Sequence, residues 1–299
     1  MMTKAQILHI LTPEKQISPF DVNMAIDAGF DHVHSYTQIT LSDINQLVQD
    51  AMYSRSPKHK QYTSLFIGGS NITLADEMIT KAQQAMHAPF HVSILADPRG
   101  AYTTAVATIL LLIKHLKDKS LKNKRIVIFG GSGAVSGATA LLAASLQARV
   151  VLASHRSQQA IQYVVERYNH RYHFDLIGAE ASLFSQKVEL LRDAHIIINA
   201  AHAGVRVIDE KQLHHAECLE LAVDLNIVSP TGIEGISSTK QKVQLLPTPK
   251  QARGLNALCV GNIRNKVQQQ LLHTLLHTEA VHFFDLKSIF KHALENMEK

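Results

Sequence analysis

The sequence predicts an α/β protein with two domains, each built around a parallel β-sheet. Short runs of strand-forming residues alternate with amphipathic helical segments through the first third of the chain, which is typical of βαβ units. A second alternation begins near residue 126, where consecutive apolar strand formers precede a glycine-rich turn. The length of 299 residues exceeds what one hydrophobic core usually supports and suits two domains.

The first domain is expected over residues 1–118, completed by C-terminal helices within 268–299. Its first helix has start signals in Ser18 and Pro19 and a stop signal in Gly29. Hydrophobic periodicity predicts strands over 6–11, 31–36, 64–67 and 91–95, and helices over 18–28, 41–53, 76–86, 101–116, 271–276 and 286–294. The apolar helix over 101–116 is expected to connect the domains, and the last helix to pack back on the first domain.

The second domain, expected over residues 119–267, contains the most specific local motif. Periodicity predicts strands over 126–129, 149–153, 194–199 and 221–225, and helices over 134–146 and 158–168. The first of these strands runs directly into Gly130-Gly131-Ser132-Gly133-Ala134-Val135-Ser136-Gly137. A strand, a glycine turn and a helix in this order are typical of a Rossmann domain, where N–H groups at the helix N-terminus bind a dinucleotide pyrophosphate.

The glycine turn predicts the pyrophosphate contacts. Gly131 fits the tight turn, and Gly133 lets the backbone approach the phosphates. Ser136 stands where a third glycine is usual, a departure that concerns helix-to-strand packing more than phosphate contact. The alternative is an ordinary glycine-rich βα turn without a ligand. The predicted contact residues are Gly131, Ser132, Gly133, Ala134 and Val135.

The end of the next strand predicts the choice of dinucleotide. NAD selectivity normally needs an Asp or Glu there to accept the ribose hydroxyls. This strand instead ends in Ser154, His155, Arg156 and Ser157, without a carboxylate. Hydroxyls, an imidazole and the planar donors of Arg156 suit a 2′-phosphate. The stretch therefore favours NADP, with NAD possible, and the alternative is a solvated loop that happens to contain an arginine.

Composition excludes several other classes. The formal net charge is +5, but no long run of Lys and Arg is present, so nucleic-acid binding is not expected. The two cysteines, Cys218 and Cys259, form no disulfide framework and favour a cytoplasmic protein. No apolar run is long enough to span a bilayer, and the histidines show no spacing typical of a metal site.

Short strings along nearly the whole chain resemble one known family. They are Ser18-Pro19-Phe20-Asp21, Asp27-Ala28-Gly29, Asp31-His32, Tyr53-Ser54-Arg55, Phe66-Ile67-Gly68-Gly69, Asp97, Gly100, Thr103-Thr104, the glycine turn, Val223-Asp224-Leu225-Asn226, and Pro230 with Gly232, Ile233 and Gly235. On these strings the chain resembles the NAD(P)-dependent methylene-tetrahydromethanopterin dehydrogenases of methylotrophic bacteria. The resemblance implies an N-terminal pterin-binding domain, a central NADP domain, a substrate cleft between them, and a homo-oligomer, expected to be a trimer.

The resemblance also implies the reaction, a reversible oxidation of a methylene-tetrahydropterin to the methenyl form with hydride transfer to the nicotinamide. The pterin is expected to be tetrahydromethanopterin or tetrahydrofolate. Loss of hydride from a carbon between two nitrogens gives a resonance-stabilised cation and moves no proton, so orientation supplies most of the catalysis. A sequence without an evident catalytic triad agrees with this chemistry.

Roles of single residues follow from the matching strings. In the first domain the resemblance implies substrate contacts from Phe20, Asp97, Thr103 and Thr104. Phe20 is alternatively a core residue at a helix start. Asp97 lies just after a strand, where open α/β sheets hold ligands, and is alternatively a helix cap, as are both threonines. In the second domain the resemblance implies Asp224 and Asn226 near the nicotinamide, with Ala200 and Ala201 leaving room for its ribose.

One departure from the family concerns two predicted catalytic positions. The family carries a lysine after a Leu-x-x-Gly stretch and a histidine four or five residues later. Here Arg264 takes the lysine position, with Lys266 as the alternative after a slip in register, and Gln268 or Gln269 takes the histidine position. Arginine keeps the charge but cannot lose its proton. This leaves two other functions open: another two-domain NADP-dependent oxidoreductase, such as a shikimate-type dehydrogenase, or a non-catalytic NADP- or pterin-binding protein.

Overall fold

A computed structural model describes residues 4–239 and 243–297. The chain divides into two compact units, one formed by Met1–Thr103 with Asn265–Lys299 and the other by Thr104–Arg264. The boundaries expected at 118 and 267 both lie C-terminal to these divisions. The first differs because most of the connector helix (Ala101–His115) lies in the second unit, and the second division falls within the helix Ala257–His277.

The secondary structure alternates strands and helices along the chain. The strands are β1 (Ile7–Leu11), β2 (His32–Tyr36), β3 (Thr63–Ile67), β4 (Ser93–Ala96), β5 (Arg125–Phe129), β6 (Arg149–Ser154), β7 (Ile177–Glu180), β8 (Ile196–Asn199), β9 (Leu221–Asp224), β10 (Gln244–Leu245), β11 (Arg253–Asn256) and β12 (Phe283–Phe284). The helices are α1 (Pro19–Ala28), α2 (Ile44–Tyr53), α3 (Ile72–Gln84), α4 (Ala101–His115), α5 (Ala134–Ser145), α6 (Gln158–Tyr172), α7 (Phe184–Arg192), α8 (Glu210–Leu213), α9 (Ala257–His277) and α10 (Leu286–Met297). All eight predicted strands are confirmed, each to within two residues at either end.

The sheet of the first unit has the strand order β12-β4-β3-β1-β2 and is parallel throughout. Its inner strands β3 and β4 are buried at every position, as expected for strands covered on both faces, whereas β2 is an exposed edge. Strand β12 pairs with β4, so the C-terminal segment returns to the first unit as predicted.

Local signals explain where the helices of this unit begin and end. Gly29 follows α1 in the left-handed region (φ 110°), and its N–H donates to the carbonyls of Ala25 and Ile26, so this predicted stop is confirmed. Helix α3 begins at Ile72, before the predicted start at 76. The prediction was wrong because Asn71 is the N-cap, whose side-chain oxygen accepts hydrogen bonds from the backbone N–H groups of Thr73 and Leu74.

The sheet of the second unit has the order β10-β11-β9-β8-β5-β6-β7, with every neighbouring pair parallel except β10 and β11. Without the antiparallel edge strand β10, this is the strand order of a Rossmann fold. The order reverses between β5 and β8, and ligands in such sheets bind at the carboxyl ends of the strands at this reversal. The predicted α/β fold class with two parallel sheets is therefore confirmed.

Helix α9 is much longer than the predicted segment 271–276, since it begins at Ala257. Its polar N-terminal half lacks a continuous apolar stripe, and its buried residues there are Val260, Val267 and Gln268.

Within the described parts of the chain, no helix combines the length and apolar character needed to cross a membrane.

Candidate functional site

The glycine turn after β5 lies directly against the loop after β8. Gly130 has a φ of 87°, and a Cβ atom there would come within 2.6 Å of the Ala200 and Ala201 backbone. Only glycine fits this conformation and this approach. The sequence assigned the tight turn to Gly131, but the structure places it at Gly130. Gly131 is instead packed against Leu152 and Ile161.

The N-cap residue of α5 makes no side-chain cap. It is Gly133, which has no side chain to accept a hydrogen bond from the first turn, and the helix begins at Ala134. Ser132 and Gly133 are exposed, while Ala134 and Val135 are half-buried. Backbone N–H groups at such a helix end are donors for an anion. These are the residues predicted to bind the pyrophosphate, and that contact stays a prediction.

Ser136 has a structural role in this turn. Its side chain is fully buried, and its Oγ donates a hydrogen bond of 2.7 Å to the carbonyl oxygen of Gly130. The residue that departs from the usual glycine pattern thus connects the first helical turn to the glycine turn.

The four residues predicted to select the dinucleotide, from the last residue of β6 onward, divide into two pairs. Ser154 is buried and its Oγ accepts a hydrogen bond from the Arg156 N–H, while Ser157 is the N-cap of α6 and accepts one from the Ala160 N–H. His155 and Arg156 are exposed. A ligand would therefore meet the guanidinium and the imidazole first, and the serine oxygens shape the backbone that presents them.

A carboxylate that the sequence analysis missed lies beside this segment. Glu180 ends β7 and is the Cα partner of Ser154 in the parallel ladder. Its Oε2 accepts a hydrogen bond of 3.1 Å from the backbone N–H of Gln158, the first residue of α6. Hydrogen bonds from Ser182 and from the Gln158 N–H hold the pKa of Glu180 below its usual value. The signal was missed because β7 itself was not predicted.

Asp224 and Asn226, predicted near the nicotinamide, are buried and bonded to the protein. The Asp224 carboxylate accepts hydrogen bonds from Asn199 Nδ2 (2.7 Å), the Asn226 N–H (3.0 Å) and the Ile233 N–H (2.9 Å). The Asn226 side-chain oxygen accepts bonds from the N–H groups of Gly204 and Val228. Both side chains therefore fix the loops after β8 and β9, and their predicted contact with a cofactor stays a prediction.

Asn199 and Gly232 complete this buried group and were also missed. Asn199 Oδ1 accepts a hydrogen bond from the Ala201 N–H, so the group fixes the half-buried Ala200–Ala201 backbone beside the glycine turn. A Cβ at Gly232 would lie 1.8 Å from Asn199 Nδ2 and 3.0 Å from Asp224 Oδ1. Gly232 is required because the Asn199 side chain occupies the space that any larger residue would need.

The residues predicted to contact the substrate differ in how exposed their side chains are. Phe20 lies in the first turn of α1 with 38% of its surface exposed, which excludes the alternative of a core residue. Asp97 is fully buried, and its Oδ1 accepts hydrogen bonds from the N–H groups of Tyr102 and Thr103. Thr103 Oγ1 donates a bond of 2.6 Å to Asp97 Oδ2. The Asp97 carboxylate thus caps the first turn of α4, and its contact with the substrate stays a prediction. Half-buried Thr104, the first residue of the second unit, is the more accessible threonine.

Helix α9 contains the residues at which this chain departs from the family pattern, and its geometry shows which of them point the same way. Residues two apart on an α-helix point roughly 200° from each other, so Arg264 and Lys266 cannot occupy the same position. Lys266 is exposed, whereas Arg264 is half-buried. Gln268, one turn after Arg264, is fully buried, and neither its Nε2 nor its Oε1 has a hydrogen-bond partner among the described residues. The geometry favours Arg264 over Lys266 and Gln268 over Gln269 as the inward-facing pair.

The histidines of β2 illustrate a cluster without a metal site. His32 and His34 share one face of the strand, with ring centroids 6.3 Å apart. Over residues 4–239 and 243–297, no three His, Cys, Asp or Glu side chains group closely enough to hold a metal ion.

Comparison with known proteins places the chain among dehydrogenases. A family model described as the N-terminal part of methylene-tetrahydromethanopterin dehydrogenase matches residues 19–99. The NAD(P)-dependent methylenetetrahydromethanopterin dehydrogenase of Methylorubrum extorquens is 37% identical over 292 residues, which cover 97% of this chain and 98% of that protein. The bifunctional protein MdtA of the same organism is 29% identical, covering 93% and 94% of the two chains.

The fold has solved counterparts at low sequence identity. The crystal structure of shikimate 5-dehydrogenase from Listeria monocytogenes with shikimate and NAD superposes with a TM-score of 0.51 at 14% identity, covering 97% of this chain and 96% of that one. This similarity concerns the fold alone.

Proposed function

We propose that this chain, which belongs to the family of NAD(P)-dependent methylene-tetrahydromethanopterin dehydrogenases, oxidises a methylene-tetrahydropterin to the methenyl form with NADP as hydride acceptor. The pterin is tetrahydromethanopterin or tetrahydrofolate. The observation that carries the nucleotide half of this proposal is the uncapped N-terminus of α5, which lies where the strand order of the Rossmann sheet reverses. The reaction class comes from the family.

The second unit supplies the nucleotide site in this proposal. The backbone N–H groups at Ser132 to Val135 bind the pyrophosphate, and Arg156 binds the 2′-phosphate. The small side chains of Ala200 and Ala201 leave space for the nicotinamide ribose next to the glycine turn. Asn199 and Asp224 are positioning residues, because their hydrogen bonds fix the loop that contains these two alanines.

The first unit supplies the pterin site. Phe20 is exposed at the start of α1 and offers an aromatic face to the pterin ring. Asp97 acts by capping α4, and Thr103 acts through its hydrogen bond to Asp97. Gln268 provides a polar group from α9.

The proposed hydride transfer moves no proton, so these residues need not act as acids or bases. One C–H bond of the methylene carbon breaks, its electron pair and hydrogen leave as hydride, and the two flanking nitrogens share the remaining positive charge. A nicotinamide held by the second unit would supply the hydride acceptor. The protein residues then have three tasks: to bind both rings, to orient them and to exclude water.

We also expect a cytoplasmic homo-oligomer, a trimer, whose state can be measured by light scattering.

The proposal is tested in two steps with the purified full-length protein. Thermal-shift measurements with NADP and with each tetrahydropterin should show stabilisation by both kinds of ligand. Absorbance at the NADPH band should then rise when NADP is mixed with methylene-tetrahydromethanopterin or methylene-tetrahydrofolate. Tight NADP binding without turnover of either pterin would contradict the dehydrogenase and favour a non-catalytic binding protein.

A further inference from the structure

We infer that Glu180 is a specificity-determining residue that weakens the preference of this site for NADP and keeps NAD binding competitive. The inference rests on the proposed function, since it assumes that a dinucleotide binds across the carboxyl ends of β5 and β6. It concerns a residue to which neither the sequence motifs nor the relatives assign a role.

The first observation is the position of the carboxylate. In a Rossmann sheet the adenine ribose lies near the end of the second strand, which is β6 here. That strand ends at Ser154 without an acidic residue, but Ser154 is the direct ladder partner of Glu180 in β7. Parallel pairing therefore brings a carboxylate to the edge of the sheet where an acidic residue of β6 would otherwise select NAD.

The second observation is that this carboxylate is fixed in place. Its Oε2 accepts the Gln158 N–H at the start of α6, and its Oε1 accepts a hydrogen bond of 2.6 Å from Ser182 Oγ. The Gln158 side chain bonds to the β7 backbone at both Gly178 and Glu180, with distances of 2.8 Å each. The negative charge is thus held against the segment that contains Arg156, two residues before Gln158.

Electrostatics gives the sign of the effect. A 2′-phosphate carries close to two negative charges, whereas the 2′-hydroxyl of NAD carries none. A fixed carboxylate beside the α6 N-terminus repels the phosphate and partly offsets the attraction of Arg156, but it does not repel the hydroxyl. It also occupies the helix N-terminus, where an anion would otherwise be stabilised. Glu180 thereby narrows the difference in affinity between the two nucleotides.

The test is the substitution Glu180→Gln, which removes the charge and keeps an oxygen to accept the Gln158 N–H. Dissociation constants for NADP and NAD are measured by isothermal titration calorimetry on wild type and variant. We expect the ratio of NADP to NAD affinity to rise by about two- to fivefold, the upper part of the range for one exposed charge interaction. The increase should shrink at high salt, because screening weakens charge effects and leaves packing effects unchanged.

Two control variants separate charge from structure. Glu180→Asp keeps the charge and should leave the affinity ratio within about twofold of wild type. Glu166→Gln neutralises another carboxylate of α6, about 12 Å along the helix from Gln158, and should also leave the ratio unchanged. A Glu180→Gln ratio that rises less than about twofold, or rises equally in the controls, would overturn the inference. Wild type that binds neither nucleotide would instead overturn the proposed function, and the inference with it.

Discussion

The Ser136 hydroxyl donates a 2.7 Å hydrogen bond to the carbonyl oxygen of Gly130, which joins the first turn of α5 to the glycine turn before it. Gly130 O also accepts the Gly133 N–H at 3.0 Å, so both bonds close the loop around one oxygen. The serine at the position of the usual third glycine therefore strengthens the glycine turn of this protein.

Ser136→Gly restores the usual glycine pattern and should nevertheless weaken the protein. A lost buried hydrogen bond costs about 1 kcal/mol, and glycine within a helix costs roughly another 0.5–1 kcal/mol relative to alanine. Differential scanning fluorimetry should show Ser136→Ala lower in Tm than wild type by about 2–4 °C and Ser136→Gly lower still. A Ser136→Gly protein as stable as wild type would contradict this role.

Gly232→Ala should disrupt the buried Asn199–Asp224 pair. The added Cβ would lie 1.8 Å from Asn199 Nδ2, so the amide must move and its bond to Asp224 is lost. Overpacking and a broken buried hydrogen bond together cost about 3 kcal/mol. Gly261→Ala is the matched control, because among the described residues no atom apart from its chain neighbours and the nearby backbone of its own helix lies within 4 Å of the added Cβ, and this helical site should gain about 0.5–1 kcal/mol. Equal melting temperatures for the two variants would refute the argument.

Arg156→Ala should weaken NADP binding about tenfold or more, since a charge-assisted hydrogen bond to phosphate contributes about 1.5–3 kcal/mol. NAD binding should change less than about twofold, because the nucleotide lacks that phosphate. Arg149→Ala serves as control: it removes an exposed arginine at the opposite end of β6. Fluorescence titration with each nucleotide measures the effect, and equal losses for NADP and NAD would exclude the 2′-phosphate assignment.

Gln268→Leu should raise stability and lower activity together. A buried amide without partners costs about 1–3 kcal/mol, so an apolar side chain of similar size should raise the melting temperature. If Gln268 binds the pterin, kcat/KM should fall by about tenfold or more. Gln269→Leu tests the other candidate position and should leave kcat/KM within about twofold of wild type. An active, stabilised Gln268→Leu enzyme would remove Gln268 from the site.

Acid should destabilise the first unit through His9. Burial, and then the positive charges of His34 and Arg55, hold the pKa of His9 below its usual value. The unfolded chain takes up the proton near pH 6.5, while folded His9 stays neutral, so stability is full above that pH and falls as pH drops towards the folded-state pKa. His9→Gln should lose less Tm than wild type between neutral and mildly acidic pH. Exposed His170→Gln should match wild type, and an unchanged slope in His9→Gln would exclude this cause.

Features formed by consecutive residues could be predicted from the sequence. The strand β5, the glycine turn and α5 follow one another without interruption, so their periodicity and glycine spacing predicted the Rossmann turn directly. The stop at Gly29 is local in the same sense. Helix α3 shows the limit, because Asn71 was not recognised as its cap and the predicted start came too late.

Residues that interact across strands could not be identified from the sequence. Strand β7 is short, contains Gly178 and ends in a polar residue, so it lacks the β-branched pattern that predicts strands. Without it, Glu180 is 22 residues from Gln158 in sequence and has no visible relation to it. Asn199, Asp224 and Gly232 come from three separate segments, and only their packing shows that two side chains fill the space above a glycine.

The sequence by itself determined the two-sheet α/β class, the strand–turn–helix order around the glycine turn and the family, because each depends on residues close together in order or on strings shared along the whole chain. The tertiary structure decided which predicted side chains are accessible and which are already bonded. Phe20 and Arg156 are exposed, whereas Asp97, Asp224 and Asn226 are buried and accept hydrogen bonds from the protein. Burial and hydrogen bonding depend on contacts between distant segments, and only the packed sheets bring those segments together.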